Sequence, residues 1–223
     1  MKKKIFLSPS NQDGNKYAYG NTNECEQCNR IADYARIALE RCGFEVRKAP
    51  KGQNMNVTIG ESNVWGADLH IAIHTNAITN SGTGSAVGTI VFVYNNDPAN
   101  LKLAEPIYKN VQDAIPGGYD YGVRVDPRLA ELNSTKAVAV YVEVDFHDNP
   151  TVAKYIVENV EKIGEAIARG ACEGYGVEYV PAATGTIYRI QVGAFKDKKY
   201  ANAYLKKVKD SGFDNAFIVE CEV

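Results

Sequence analysis

The chain has three histidines, His70, His74 and His147. His74 closes an apolar run from Leu69 and is followed by Thr75-Asn76-Ala77. Sites of α/β proteins gather at the carboxyl ends of strands. His74 is therefore either a metal ligand or a capped core histidine, and its position leaves both readings open. His70 lies earlier on the same face, deeper in the sheet, and is expected to be structural. Glu24 falls on the inward stripe of a helical segment with Cys28, Ile31 and Ala35. A carboxylate facing a sheet needs a cation or several donors. The alternative is a first-turn Glu, favoured by the helix dipole and half solvated. Val142-Glu143-Val144-Asp145-Phe146-His147 places two carboxylates and a histidine at another strand end. Period-two geometry puts Glu143 and Asp145 on one face. If the strand stops near Asp145, Glu143 reaches the cleft and His147 lies on its rim; a salt-bridged strand end is the plainer reading. Paired acids also suit a glycosidase, but that leaves His74 and Glu24 unused. There is no nucleophile elbow and no phosphate-binding glycine loop.

These side chains need a scaffold. Lys4 to Leu7, Phe44 to Lys48, Leu69 to His74, Thr89 to Tyr94 and Val138 to Asp145 read as strands. Helix periods fill much of the space between them. The first runs from about Asn23 to Cys42 and stops at Gly43; the second covers Ala99 to Ala114. The third follows Asn149-Pro150, with Ile156, Val160, Ile163 and Ile167 on its buried face. The expected fold class is α/β, a mainly parallel twisted sheet flanked by helices. A catalytic domain is expected over 1–177 and a linker over 178–186. A small α+β C-terminal module follows over 187–223. Its parts are a strand at Ile187 to Val192, a helix capped by Asp197 and a strand at Ala216 to Val219.

The 223 residues are 45% hydrophobic and 23% charged, enough apolar content for a packed core. A net charge of −2 argues against nucleic acid as a partner. Cys25, Cys28, Cys42, Cys172 and Cys221 are spaced irregularly, so free core thiols are expected, the Cys25–Cys28 pair included. No apolar run suits a signal peptide or a membrane span. Synthesis in the cytoplasm is expected. A substrate outside the membrane would then be reached only after lysis.

Several of these segments together resemble the zinc-dependent N-acetylmuramoyl-L-alanine amidases known as amidase type 3. Ile5-Phe6-Leu7 runs into a Pro-containing turn, and Thr22-Asn23-Glu24 opens the first helix. Ala67 to Ala77 is similar to the family's D-x-x-x-S-x-H-x-N-A strand end. Val142-Glu143, Phe146 and Asn149-Pro150 are similar to its V-E-x-x-F-x-x-N element. The resemblance covers about residues 3 to 175. It implies zinc ligation by Glu24 and His74, with Glu143 as catalytic carboxylate. The family's first ligand is a histidine, where this chain has Asn11. His147 is expected to replace it as the third ligand, with Asn11 as the alternative position. Ser10, Asn76 and Asp145 are expected to orient ligands or substrate.

Tyr188 to Phe195, the helix after it and Ser211-Gly212-Phe213 to Val219 resemble half of a SPOR domain, a peptidoglycan-binding module. A lone half is marginal in size. It either packs on the catalytic domain or pairs with a second chain as a homodimer. The resemblance implies peptidoglycan as partner, with no nucleic acid and no membrane. It implies hydrolysis of the amide between N-acetylmuramic acid and L-alanine, by a phage or prophage endolysin freed by a holin or by a sporulation autolysin. The alternatives are a non-catalytic wall-binding protein with a degenerate metal site, or a carboxylate-dependent glycosidase.

Overall fold

The computed structural model describes residues 2–79, 82–183, 190–213 and 216–218. The chain divides into two compact units, Met1–Ala182 and Ala183–Val223.

The first unit is built on six strands: β1 (Lys4–Pro9), β2 (Glu45–Lys48), β3 (Leu69–Asn76), β4 (Ile90–Val93), β5 (Val123–Val125) and β6 (Val138–Phe146). Their order across the sheet is β2-β1-β3-β6-β4-β5. Strands β2, β1, β3 and β6 are parallel, while β4 runs antiparallel to β6 and β5 follows the direction of β4. The register pairs His74 with Glu143 across β3 and β6, and Ile90 with Glu143 across β4 and β6. One turn of sheet edge thus collects both chemical strands.

One face of the sheet is covered by α1 (Glu24–Arg41), α3 (Pro98–Ala114), α5 (Pro150–Glu158) and α6 (Val160–Tyr175). Cys28, Ile31, Ala35 and Ala38 of α1 are fully buried there, as the periodicity demands. Asn23 caps α1 by accepting the Glu26 amide at 2.9 Å. Packing of α6 is close because glycine stands at the crossings. A Cβ on Gly164 would lie 2.7 Å from the Ile31 carbonyl oxygen, and one on Gly170 would lie 2.4 Å from Ile107 Cα. The opposite face carries α2 (Met55–Trp65) and the one-turn α4 (Ala130–Asn133). Trp65 and Leu132 pack there in two small apolar clusters.

The expected third helix is interrupted. Asn159, with φ −127° and ψ 26°, ends α5 and begins α6, so the buried stripe continues across a bend. Helix α2, strand β5 and helix α4 add to the expected elements. The free cysteines include Cys25, Cys28 and Cys172 in the interior and Cys42 at half burial.

Residues 178–180 are tied to the first unit: Arg41 Nε donates to the Val180 carbonyl at 2.8 Å, and the Val180 amide meets Cys42 Sγ at 3.3 Å. In the second unit α7 (Lys198–Asp210) begins at Asp197, whose carboxylate accepts the Lys199 amide at 2.7 Å. No α7 residue is buried. Residues 190–192 and 216–218 have no strand pairing among the described residues. The rest of the two expected strands, 187–189 and Val219, lies outside the described residues, and a strand without a hydrogen-bonded neighbour is not defined.

Candidate functional site

His74 lies at the carboxyl end of β3, 7% exposed, with a carboxylate on each ring nitrogen. Glu24, at the first turn of α1, places Oε1 2.9 Å from Nδ1. Glu131, on α4, places Oε2 3.2 Å from Nε2. The Tyr141 ring stacks on the imidazole, with centroids 4.3 Å apart. Three elements far apart in sequence therefore fix one ring. Burial works against the charged imidazole, but the hydrogen bonds to Glu131 and Glu24, with the Glu143 charge, push His74 up to about 10.

The carboxylates respond in kind. Burial raises Glu24, but its bond to His74, the His74 charge, and bonds from Asn15 and Ser10 hold it below the ordinary range. Asn15 Nδ2 donates to Glu24 Oε2 at 2.6 Å. Burial likewise opposes Glu131, and the bonds to His70 and His74 bring it down to about 2. His70 Nε2 meets Glu131 Oε1 at 3.2 Å, and His70 Nδ1 meets Ser62 Oγ at 3.0 Å. Ser8 Oγ also donates to Glu131 Oε1.

Glu143 behaves differently. Its Oε2 is buried without a hydrogen-bond partner. Burial pushes it up to about 7; the His74 charge works against that and the Glu24 charge with it. A carboxyl poised there exchanges a proton near neutral pH, the range a general base or acid needs.

The remaining expected residues are placed as follows. The Asn11 side chain is exposed and donates to the Gln53 carbonyl at 3.0 Å. His147 is buried, with Nδ1 3.0 Å from both the carbonyl and the hydroxyl of Thr75. Its ring stacks on Tyr17 at 5.1 Å, and burial holds it below its ordinary value. Ser10 accepts the Gln12 amide at 3.2 Å and bonds to Glu24. Asn76 bonds its own neighbour, accepting the Ala77 amide at 2.8 Å. Asp145 shares the Glu143 face but accepts the Gly88 and Phe146 amides at 2.9 and 2.7 Å. So Glu24 meets both His74 and Ser10, Glu143 is paired in register with His74, and Asn11, His147, Asn76 and Asp145 bond elsewhere.

Two contributors escaped sequence reasoning. Glu131 sits on a single helical turn, too short to carry a period. Gln12 lies in a polar loop, and its Nε2 comes within 3.5 Å of His74 Nδ1.

The donor types a divalent cation takes are only partly assembled here. Two carboxylates, Glu24 and Glu131, bond one imidazole, and nearby Glu143 Oε2 is buried without a partner. Ligands about 2.0 Å from zinc in a tetrahedron stand about 3.3 Å from each other; Glu24 Oε1 and His74 Nδ1 stand 2.9 Å apart. Among the described residues, no three His, Cys, Asp or Glu side chains form one metal-binding group. Glu24 and His74 are thus the conventional donors, and Gln12 is the polar side chain beside them.

Comparison with known proteins gives a family model described as N-acetylmuramoyl-L-alanine amidase, matching residues 7–173. A SPOR-domain model matches residues 169–220. The sporulation-specific N-acetylmuramoyl-L-alanine amidase of Bacillus subtilis is 24% identical over 97% of this chain and 85% of its own length. The N-acetylmuramoyl-L-alanine amidase of Clostridium difficile 630 superposes with a TM-score of 0.70 at 19% identity, covering 78% of this chain and 97% of that one. The catalytic domain of the CD27L endolysin, which targets Clostridia difficile, gives a TM-score of 0.60 at 26% identity, covering 77% and 96%.

Proposed function

The chain belongs to the N-acetylmuramoyl-L-alanine amidase family, and on that premise we propose that it hydrolyses the amide joining N-acetylmuramic acid to L-alanine in peptidoglycan. The observation that carries the reading is Glu24 against His74, with Glu143, its Oε2 buried, paired in register with His74. Zinc is the proposed cofactor, held by Glu24 and His74. The third position is open to Gln12, nearest to His74, and to His147 or Asn11 only if they leave their partners at Thr75 and Gln53. When bound, zinc polarises the scissile carbonyl and acidifies water.

The protein's own groups supply the rest. Glu143, poised near neutrality, takes a proton from the attacking water and delivers it to the leaving amine. Glu24 and Glu131 together clamp the His74 ring so that it cannot rotate away. Asn15 and Ser10 hold Glu24 in turn. The C-terminal unit, matched by the SPOR model, would bring the enzyme to the wall. A lytic endolysin or a sporulation autolysin, released by lysis, is the proposed setting.

The test is digestion of purified peptidoglycan with the full chain. The expected products are new amino groups without new reducing sugar ends, lost on chelation and restored by zinc. Reducing ends instead would identify a glycosidase. Wall binding without either product would identify a degenerate site.

A further inference from the structure

We propose that Cys42 and Cys172 are a disulfide-forming pair, a latent staple that closes between the C-terminal ends of α1 and α6 when the chain meets a small-molecule disulfide.

The fold brings the two thiols together by running α1 and α6 side by side in one direction. Gly164 of α6 lies against Ile31 and Ala35 of α1, and further along both helices Cys172 reaches Cys42, just past the end of α1. Contacts on either side fix the pair. Arg41 Nη2 meets Glu165 Oε2 at 2.5 Å, and the Phe44 and Tyr175 rings stand with centroids 5.7 Å apart. Between these contacts the two thiols are hydrogen-bonded. Cys172 is fully buried and Cys42 half-buried. Cys42 Sγ also accepts the Val180 amide at 3.3 Å, and the Val177 amide donates to the Cys172 carbonyl at 2.9 Å. Both cysteines therefore hold the chain as it leaves α6.

The two sulfurs differ in reach. Burial, the bond to Cys42 and the Cys42 and Glu173 charges push the Cys172 thiol up to about 12, with Arg41 working against them. Cys172 therefore waits as a thiol, and the reaction starts at the accessible Cys42. Its thiolate attacks one sulfur of the reagent, which releases one reagent thiolate and leaves a mixed disulfide on Cys42. Cys172 then gives its proton to water and attacks Cys42 Sγ, forming the Cys42–Cys172 bond and releasing the second reagent thiolate. The two cysteines lose two electrons and two protons, and the reagent is reduced to two thiols. In a reducing compartment the pair stays open; in an oxidising one it closes. The link joins positions about 130 residues apart, the long-loop case in which a disulfide restricts the unfolded chain most. It lies at the far end of α1 from Glu24, about 27 Å along an 18-residue helix, so it stabilises the fold without touching the site.

The test incubates the full chain with oxidised glutathione, quenches it in acid and cuts it with trypsin without reduction. The expected product is a linked pair of peptides, 42–47 and 170–189, two hydrogens lighter than the free pair. The Tm is expected to rise by about 5–15 °C on oxidation and to return with dithiothreitol. Cys42→Ser removes the half-buried partner and spares the core, and should show neither the linked peptides nor the rise. Glutathione retained on Cys42 with Cys172 unmodified overturns the proposal. So does Cys42 linked to Cys221 or to a second chain, or a full set of free thiols. Linked peptides with an unchanged or lower Tm refute the stapling role, and a rise that persists in Cys42→Ser assigns the effect to other cysteines and overturns it as well.

Discussion

Replacing Glu143 with Gln is expected to move stability and activity in opposite directions. Folding takes the Glu143 carboxyl from an ordinary 4.5 up to about 7, and burial is the largest cause. A carboxyl with a raised folded value stabilises the fold below its unfolded value, and that contribution is lost as pH rises through the folded value. With those two values, the metal-free protein loses about 2.5 kcal/mol between pH 5 and pH 8 through this one group. Glu143→Gln lacks the group, so its stability falls less over the same interval. At a few degrees per kcal/mol for a chain of this size, the Tm of Glu143→Gln relative to that of the parent should rise by about 5–10 °C from pH 5 to pH 8. The Gln amide brings its own unpaired hydrogens into the same pocket, a cost that does not vary with pH and cancels in the comparison. The assay is thermal unfolding by circular dichroism in chelator across that range, with wall digestion in parallel. Amidase turnover should fall by about 10²–10⁴-fold, the contribution of a positioned proton-transfer group. A Tm gap that stays constant with pH would refute the assignment of a buried, neutral-range carboxyl to Glu143.

Further outcomes follow from other contacts. Exhaustive chelation should abolish wall digestion, and zinc should restore it; activity that survives chelation would contradict the metal reading. Gly164→Ala should cost about 1–3 kcal/mol and lower the Tm, because its Cβ would press on the Ile31 carbonyl at 2.7 Å and part α6 from α1; an unchanged Tm would show that the crossing is looser than described. Asp148→Ala should free the turn after β3, since Asp148 Oδ2 accepts the Ile78 and Thr79 amides at 3.0 and 2.7 Å. Amide exchange at those two residues should accelerate by at least tenfold while the core amides of β6 keep their rates. Asn11→Ala should leave zinc content unchanged, because its side chain is committed to Gln53; loss of zinc would return Asn11 to the ligand set.

The parts of the molecule that could be read from sequence are those with a period. The buried stripe of α1 is written in Cys28, Ile31, Ala35 and Ala38, and the central strands in runs of Ile and Val. The same stripe pointed Glu24 inward, and strand alternation set Glu143 at the edge beside His74. What escaped has no period to show. Helix α4 has four residues, so nothing announced that Glu131 would meet two histidines. Helix α2 breaks the amphipathic rule, leaving Val57 and Val64 exposed while burying Thr58 and Ser62. The break in the third helix at Asn159 leaves the apolar spacing intact and is therefore silent in the pattern. The direction of β4 was equally hidden, since a buried apolar strand reads alike forwards and backwards. His147, expected as the third ligand from its place near the strand end, meets the Thr75 carbonyl through Nδ1, a contact that no period in the sequence announces.

The reversal of β4 divides the loops into two populations. Ile90 opens β4 beside Glu143, and Val93 closes it beside Val140, deeper along β6. The segment before β4 therefore borders the reacting groups, while the turn leaving it, Tyr94 to Asp97, opens on the far rim. Selection for different wall substrates can act on the near segment without disturbing the far one. Conversely, an affinity tag or reporter spliced between Asn95 and Asn96 would ride on the molecule's quiet end, giving a handle for immobilising the enzyme with its working edge facing outward.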